Sequence, residues 1–394
     1  MATEGWGVSA GAARYAARAM SSLRPAPRPV LKSESSTFDP FGTSRALEPQ
    51  GLPQPAERVD NDFSRLFPGE MLIAVETLNV DAASFRQMEE ATDAGLTETD
   101  RDAAVARRVE ETVRNRGKQH NPVTGSGGML LGRVLQLASG RKDDVASVGD
   151  RVATLVSLSL TPLRIDRVKA VRRTSAQIDV EGEAVLFASG AYARLPPPSE
   201  MSERLALAVL DVAGAAPQVA RLVSARLGAR DAPLTVVVLG AGGKSGILCA
   251  AEARRTGGTR VKVIGVEKFA PFAEDLRRLG VCDVVLTVDA CDPLAVRSAV
   301  LEATGGNEAD LSFSCVNVPD AEMSAVLVTR DRGVAYFFAM STSFTKAALG
   351  AEGVGKDIDL MIGNGFAHRH AEHSLAMMSA MPEVKKLFES RYGG

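Results

Sequence analysis

The chain has 394 residues, enough for about two domains, and is 45% hydrophobic and 24% charged, as an ordinary globular protein is. A formal net charge of −2 provides no basic field for a nucleic acid, and no apolar run approaches the length of a membrane span. Cys249, Cys282, Cys291 and Cys315 form no CxxC pair, which argues against a zinc or disulfide framework and for buried thiols in a reducing compartment.

Residues 1–40 set Arg14, Arg18, Arg24, Arg28 and Lys32 among Ala, Ser and Pro. That composition suits a mitochondrial transit peptide and equally a disordered extension, so the compartment stays open between cytoplasm and mitochondrial matrix. Met71 to Leu78 alternates as a strand does and leads into Asn79-Val80-Asp81-Ala82-Ala83-Ser84. The highly charged stretch Met88 to Lys118 predicts a solvated surface helix. His120 to Gly128 is a polar, glycine-containing turn that opens onto a strand over 129–137; it suits a substrate loop or a plain structural turn. A further strand starts at Gly149-Asp150-Arg151-Val152, and Ser157, Ser159 and Thr161 give it a polar end before Pro162. Short strands separated by turns across 70–196 predict a small, mostly β domain. Helices follow over 201–227. Asp211 stands alone in the apolar stretch ALAVLDVAGAA, where a structural role is expected ahead of a place in a cleft.

The stretch TVVVLGAGGKSG at 235–246 is a buried-type strand followed at once by glycines and then a helix. That order presents helical N–H groups to a pyrophosphate, and the glycines let the phosphates approach the backbone. The turn is GxxGxxG through Gly240, Gly243 and Gly246, with Gly242, Lys244 and Ser245 inside it, rather than a literal GxGxxG. A nucleotide-triphosphatase loop would need glycine where Val238 stands. Glu267 closes the next strand about 20 residues on, where an acid accepts from the ribose hydroxyls of NAD. Lys268 beside it leaves NADP possible, since it could meet a 2′-phosphate. The same pattern without a ligand would be a plain strand–turn–helix.

Strands over 235–239, 260–266, 284–288, 311–316 and 334–339 alternate with helices over 246–255, 271–279, 293–303 and 321–329, the doubly wound α/β pattern. Sites in such sheets lie at the carboxyl ends of strands, which nominates Cys315-Val316-Asn317 and Ala339 to Thr342. Residues 357–364 predict another strand and 373–388 a closing helix. His368, His370 and His373 read as the start of a surface helix rather than a metal site.

VETLNVDAAS at 75–84, GDRVATL at 149–155 and VLGAGGKSG at 238–246 stand in the order found in the medium-chain dehydrogenase/reductase superfamily, which the chain resembles over about 50–394. More narrowly it resembles the L-erythro-3,5-diaminohexanoate dehydrogenase family of bacterial lysine fermentation. LPQPA at 52–56, NPVTGSGGML at 121–130, DRVATLVSLSLTPLRID at 150–166, FSCVNVPDAEMS at 313–324 and FFAMSTSFTKAALGAEGVGKD at 337–357 carry that likeness. The resemblance implies a GroES-like substrate domain over 41–211, to which 356–394 returns, and a Rossmann NAD-binding domain over 212–355. Asp81 and Gly128 occupy the positions that hold zinc ligands in other superfamily members, which implies a metal-free site.

The implied reaction is NAD-dependent oxidative deamination of L-erythro-3,5-diaminohexanoate to 5-amino-3-oxohexanoate, ammonium and NADH. On that basis Asp81 meets an ammonium or acts as base, and Lys346 or Arg164 meets the carboxylate. Asn121, Thr124, Ser126 and Ser157 orient the substrate or a water. Gly240, Gly243, Ser245 and Gly246 hold the pyrophosphate, Glu267 the ribose, and Asn317 and Ser341 flank the nicotinamide. The partners are then a small diamino acid and further copies of the chain in a dimer or tetramer, with no nucleic acid and no membrane. Two other readings remain: a zinc-free NADPH-dependent quinone or enone reductase, and a non-catalytic nucleotide sensor.

Overall fold

The computed structural model describes residues 38–90, 97–121, 125, 127–141, 146–197, 200–229, 231–363 and 365–393. The targeting or disordered segment expected at 1–40 lies almost wholly outside them.

Two short strands, β1 (Ala46–Glu48) and β2 (Arg58–Val59), open the described chain. They precede β3 (Met71–Asn79), helices α1 (Ala82–Glu90) and α2 (Glu98–Arg116), and strands β4 (Met129–Leu137), β5 (Arg151–Thr154), β6 (Leu163–Arg172), β7 (Gln177–Leu186) and β8 (Tyr192–Arg194). Strands β3 to β8 form an antiparallel sheet in the order β6-β7-β3-β4-β5-β8. The period of two in β3 sends Met71, Ile73 and Val75 into one core and Leu72 into another, so both faces are covered. The first core is closed by α2 through Val105, Val109 and Val113, four residues apart on one face. The charged stretch expected to be a solvated helix is therefore two helices, one with a buried stripe. The second core packs on Phe63 and Leu66. The segment carrying them is anchored by the fully buried Arg45, whose guanidinium donates to both oxygens of Glu70 (2.6 and 2.8 Å) and lies against the rings of Phe63 and Phe67.

The remaining elements run α3 (Glu203–Leu210), α4 (Ala215–Gly228), β9 (Leu234–Leu239), α5 (Lys244–Gly257), β10 (Val261–Val266), α6 (Ala270–Leu279), β11 (Val284–Leu286) and α7 (Pro293–Thr304). They continue through β12 (Ala309–Ser314), α8 (Glu322–Val328), β13 (Thr329–Phe337), α9 (Phe344–Gly353), β14 (Asp359–Ile362), α10 (His370–Ala380) and α11 (Pro382–Tyr392). The six strands form a parallel sheet in the order β11-β10-β9-β12-β13-β14. Order reverses beside β9, the switch point of a doubly wound sheet. β9 is central and buried on both faces, as its β-branched run predicts.

β14 pairs with β13 in this sheet, so the segment expected to return to the β domain adds a strand to the nucleotide fold instead. α10 and α11 then pack with α3 to α5 through Met377, Met378 and Phe388. Ala371 of α10 also joins Met129, Leu131, Ala153 and Leu210 in a core between the two sheets, so the chain's end touches both domains. No single helix among the described residues is long and apolar enough to cross a membrane.

Candidate active site

A cleft of about 470 Å³ opens between the antiparallel sheet and the carboxyl edge of the parallel one. Asp81, Gly128 and Ser157 line it from the β domain, Leu210 and Asp211 from the end of α3, Phe338 and Met340 from beyond β13, and Phe366 and His370 from the start of α10.

Asp81 follows β3 and caps α1: its Oδ1 accepts from the Ser84 N–H at 2.9 Å and its Oδ2 from the Ser84 hydroxyl at 2.5 Å. That hydroxyl accepts in turn from the Asn121 side-chain amide at 2.9 Å, so Asn121 supports Asp81 through Ser84. Gly125 and Gly128, described residues of the polar turn, reach the cleft; Thr124 and Ser126 lie outside the described residues. Gly128 has φ +85°, and a Cβ there would overlap the Asn79 carbonyl and stand 2.9 Å from the Asp81 nitrogen. A side chain at this position would require the backbone around it to move. Ser157 caps a short turn over Leu158–Leu160, with its hydroxyl 2.8 Å from that of Ser159.

Asp211 ends α3, where the helix dipole disfavours a carboxylate. Lys244, 3.2 Å away in the first turn of α5, offsets this. The lone acid expected to serve structure thus faces the cleft and also ties it to the glycine turn. His370, expected at a surface helix start, is 3% exposed, with its ring edge-on to Phe366 at 5.1 Å. Burial pushes its pKa below the ordinary 6.5, so the ring is neutral at pH 7. His368 is exposed and His373 lies 3.3 Å from Glu252, so the three histidines meet different surroundings. Among the described residues no group of three His, Cys, Asp or Glu side chains could hold a metal ion.

The glycine turn joins β9 to α5. Gly240 has φ +69°, a Cβ on Gly246 would overlap the Gly240 carbonyl, and one on Gly243, the residue before the helix, would lie 3.7 Å from that same oxygen. These are the features of a cradle for a pyrophosphate at a helix N-terminus, and the chain fits a dinucleotide there. Glu267 directly follows β10 and is 6% exposed, and its two oxygens accept from the N–H groups of Gly242 and Phe269, each at 2.9 Å. It therefore fixes the turn, and it keeps acceptor capacity for a sugar hydroxyl. Lys268 is drawn to Asp289 at 2.8 Å. Asn317 is exposed past β12, and the Ser341 hydroxyl donates to the carbonyls of Val316 (3.0 Å) and Val318 (3.3 Å), bridging the loops after β12 and β13.

Three of the residues expected to meet or orient the substrate do not line the cleft: Arg164, Lys346 and Asn121, the last 4% exposed and reaching Asp81 only through Ser84. Arg164 lies on β6, an edge strand of the antiparallel sheet, paired with Glu183 and Asp166. Lys346 pairs with Asp320 in the first turn of α9. Gln54, which sequence reasoning missed, lines the cleft; the buried Lys118 holds the carbonyls of Pro53 and Gln54 at 2.6 and 3.0 Å. A lysine at the end of a charged run offered no signal of that clamp.

Residues 44–196 match the family model of the L-erythro-3,5-diaminohexanoate dehydrogenase N-terminal domain. The chain is 46% identical over 355 residues to L-erythro-3,5-diaminohexanoate dehydrogenase of Acetoanaerobium sticklandii, covering 89% of this chain and 98% of that one. It is 45% identical over 356 residues to the same-named enzyme of Fusobacterium nucleatum, with the same coverage. A solved mycobacterial quinone oxidoreductase is similar at 18% identity with a TM-score of 0.48, over 88% of each chain. On sequence identity across nearly its whole described length, the chain belongs to the L-erythro-3,5-diaminohexanoate dehydrogenase family.

Proposed function

We propose that the chain catalyses NAD-linked oxidative deamination of L-erythro-3,5-diaminohexanoate at C3, giving 5-amino-3-oxohexanoate, ammonium and NADH. The observation that carries this reading is one cleft holding two carboxylates, Asp81 and Asp211, and a neutral histidine, His370, beside a glycine cradle. The dication half of the substrate suits two carboxylates. The turn Gly240 to Gly246 with Glu267 would hold NAD, which would supply the hydride acceptor for C3.

That transfer needs a neutral C3 amine. His370 takes the proton from the C3 ammonium and passes it to solvent; it then takes one from the water that attacks the substrate iminium and returns it to the carbinolamine nitrogen, so that ammonia leaves as the C–N bond breaks and the carbinol hydroxyl gives up its proton to form the ketone. Asp211, tied to Lys244, meets one nitrogen cation on the dinucleotide side of the cleft. Asp81, fixed by Ser84 and Asn121, meets the other. Ser157 is available to the water. The buried carboxylate of Glu267 repels a 2′-phosphate and Lys268 is engaged by Asp289, which favours NAD over NADP.

We further propose a homo-oligomer formed along the edge strand β14, where Ile362 is 64% and neighbouring Leu349 of α9 63% exposed. A cytoplasmic setting suits thiols such as Cys249 and Cys315, whose sulfurs lie 3.6 Å apart, a thiol–thiol hydrogen-bonding distance.

The direct test is absorbance at the NADH band when NAD and L-erythro-3,5-diaminohexanoate are mixed with the protein. Substrate-dependent NADH formation is expected. Its absence, with NADPH oxidised by a quinone instead, would transfer the assignment to a reductase; binding of NADH with no turnover of either substrate would leave a sensor.

A further inference from the structure

The last turn of α11 ends on the glycine turn. Arg391 donates to the Gly242 carbonyl at 2.7 Å, pairs with Asp275 of α6, and stacks 4.3 Å from the centroid of Phe272. Tyr392 beside it places its ring 5.2 Å from the Lys244 ammonium. Gly242 is thus held at both polar atoms, its N–H by Glu267 and its carbonyl by Arg391. The peptide between Gly242 and Gly243 is planar, so fixing the carbonyl also fixes the Gly243 N–H, which closes the turn on the Gly240 carbonyl at 3.3 Å. The next N–H groups, of Lys244, Ser245 and Gly246, begin α5 and have no partner within the helix. Their direction is set by the turn before them.

We propose that Arg391 is a positioning residue for the dinucleotide: from the far end of the chain it locks the turn that presents these N–H groups to the pyrophosphate. The inference rests on the reading that the glycine turn takes NAD. Arg391 does not touch the reacting atoms, so its loss weakens cofactor binding without slowing a loaded enzyme.

The test is titration of NADH, ADP-ribose and adenosine into the full-length protein, with steady-state kinetics alongside, for the wild type, Arg391→Met, Arg391→Lys and Lys385→Ala. Arg391→Met is expected to weaken NADH and ADP-ribose about tenfold, the effect of losing one charge-assisted hydrogen bond. Adenosine, which carries no phosphate, should bind as before. KM for NAD should rise with kcat unchanged at saturation, and Arg391→Lys, which keeps one donor, should recover part of the loss. Lys385→Ala removes a bond from α11 to the Glu200 carbonyl away from the turn and should bind like the wild type. Equal NADH affinity in the wild type, Arg391→Met and Arg391→Lys overturns the proposal, as does an equal loss for adenosine and ADP-ribose. A wild type that binds no dinucleotide overturns the functional reading itself, and that outcome is seen before any variant is compared.

Discussion

His370 and Asp81 make the reading testable one side chain at a time. His370→Asn keeps a polar group of similar size but no base, so kcat should fall about a hundredfold or more with NADH affinity intact. Asp81→Asn separates charge from structure, because asparagine caps a helix as well as aspartate does. Turnover should drop while NADH binding and melting temperature hold; full activity in this variant removes Asp81 from the site. The histidines also set a pH dependence of stability. Burial lowers the pKa of both His120 and His370 below 6.5, so the unfolded chain binds more protons than the folded one once pH falls below that value. Stability from these groups is complete above about pH 6.5 and is lost as pH falls towards their folded values. The melting temperature should decline on acidification through this window, and His370→Asn should decline less.

At the scale of elements, legibility followed locality. The strands and helices from β9 to β13 were readable because a buried parallel strand writes its β-branched run in consecutive residues, and the glycine cradle because a backbone turn is encoded within a few positions. The buried stripe of α2 was not, since three valines four apart are masked by the charges between them. His370 was misjudged, and the cleft was only the second reading for Asp211, for a different reason: each is local to a helix end, but the cleft each faces is assembled from residues far away in sequence. Gly128 carries its own expectation. Because a Cβ there overlaps the Asn79 carbonyl, installing zinc ligands by Asp81→Cys with Gly128→His should not yield a zinc enzyme; metal analysis of the purified double variant should find no bound zinc and calorimetry a lowered melting point.

For the whole molecule, two joints matter. Arg45 with Glu70 anchors the first described segment beneath the antiparallel sheet, and removing Glu70 leaves the buried guanidinium with only the more distant Asp60 carboxylate, at 3.4 Å, and backbone carbonyls. Glu70→Ala should cost about 3–5 kcal/mol in a denaturant titration. The edge of the parallel sheet is the other. Sedimentation of the wild type should give a dimer or larger species, and Ile362→Lys should shift it towards monomer; a wild-type monomer at micromolar concentration would remove the oligomer from the account.

The base assigned to the cleft and the arginine on the glycine turn both belong to the two final helices. Until α10 and α11 have packed, the chain has a sheet and a phosphate loop but neither the proposed base nor the arginine clamp, so docking of these two helices is the step that completes the site. A bulky label attached to the last turn of α11 presses on the glycine turn, and preparations carrying one should require more nicotinamide dinucleotide to saturate than unlabelled protein.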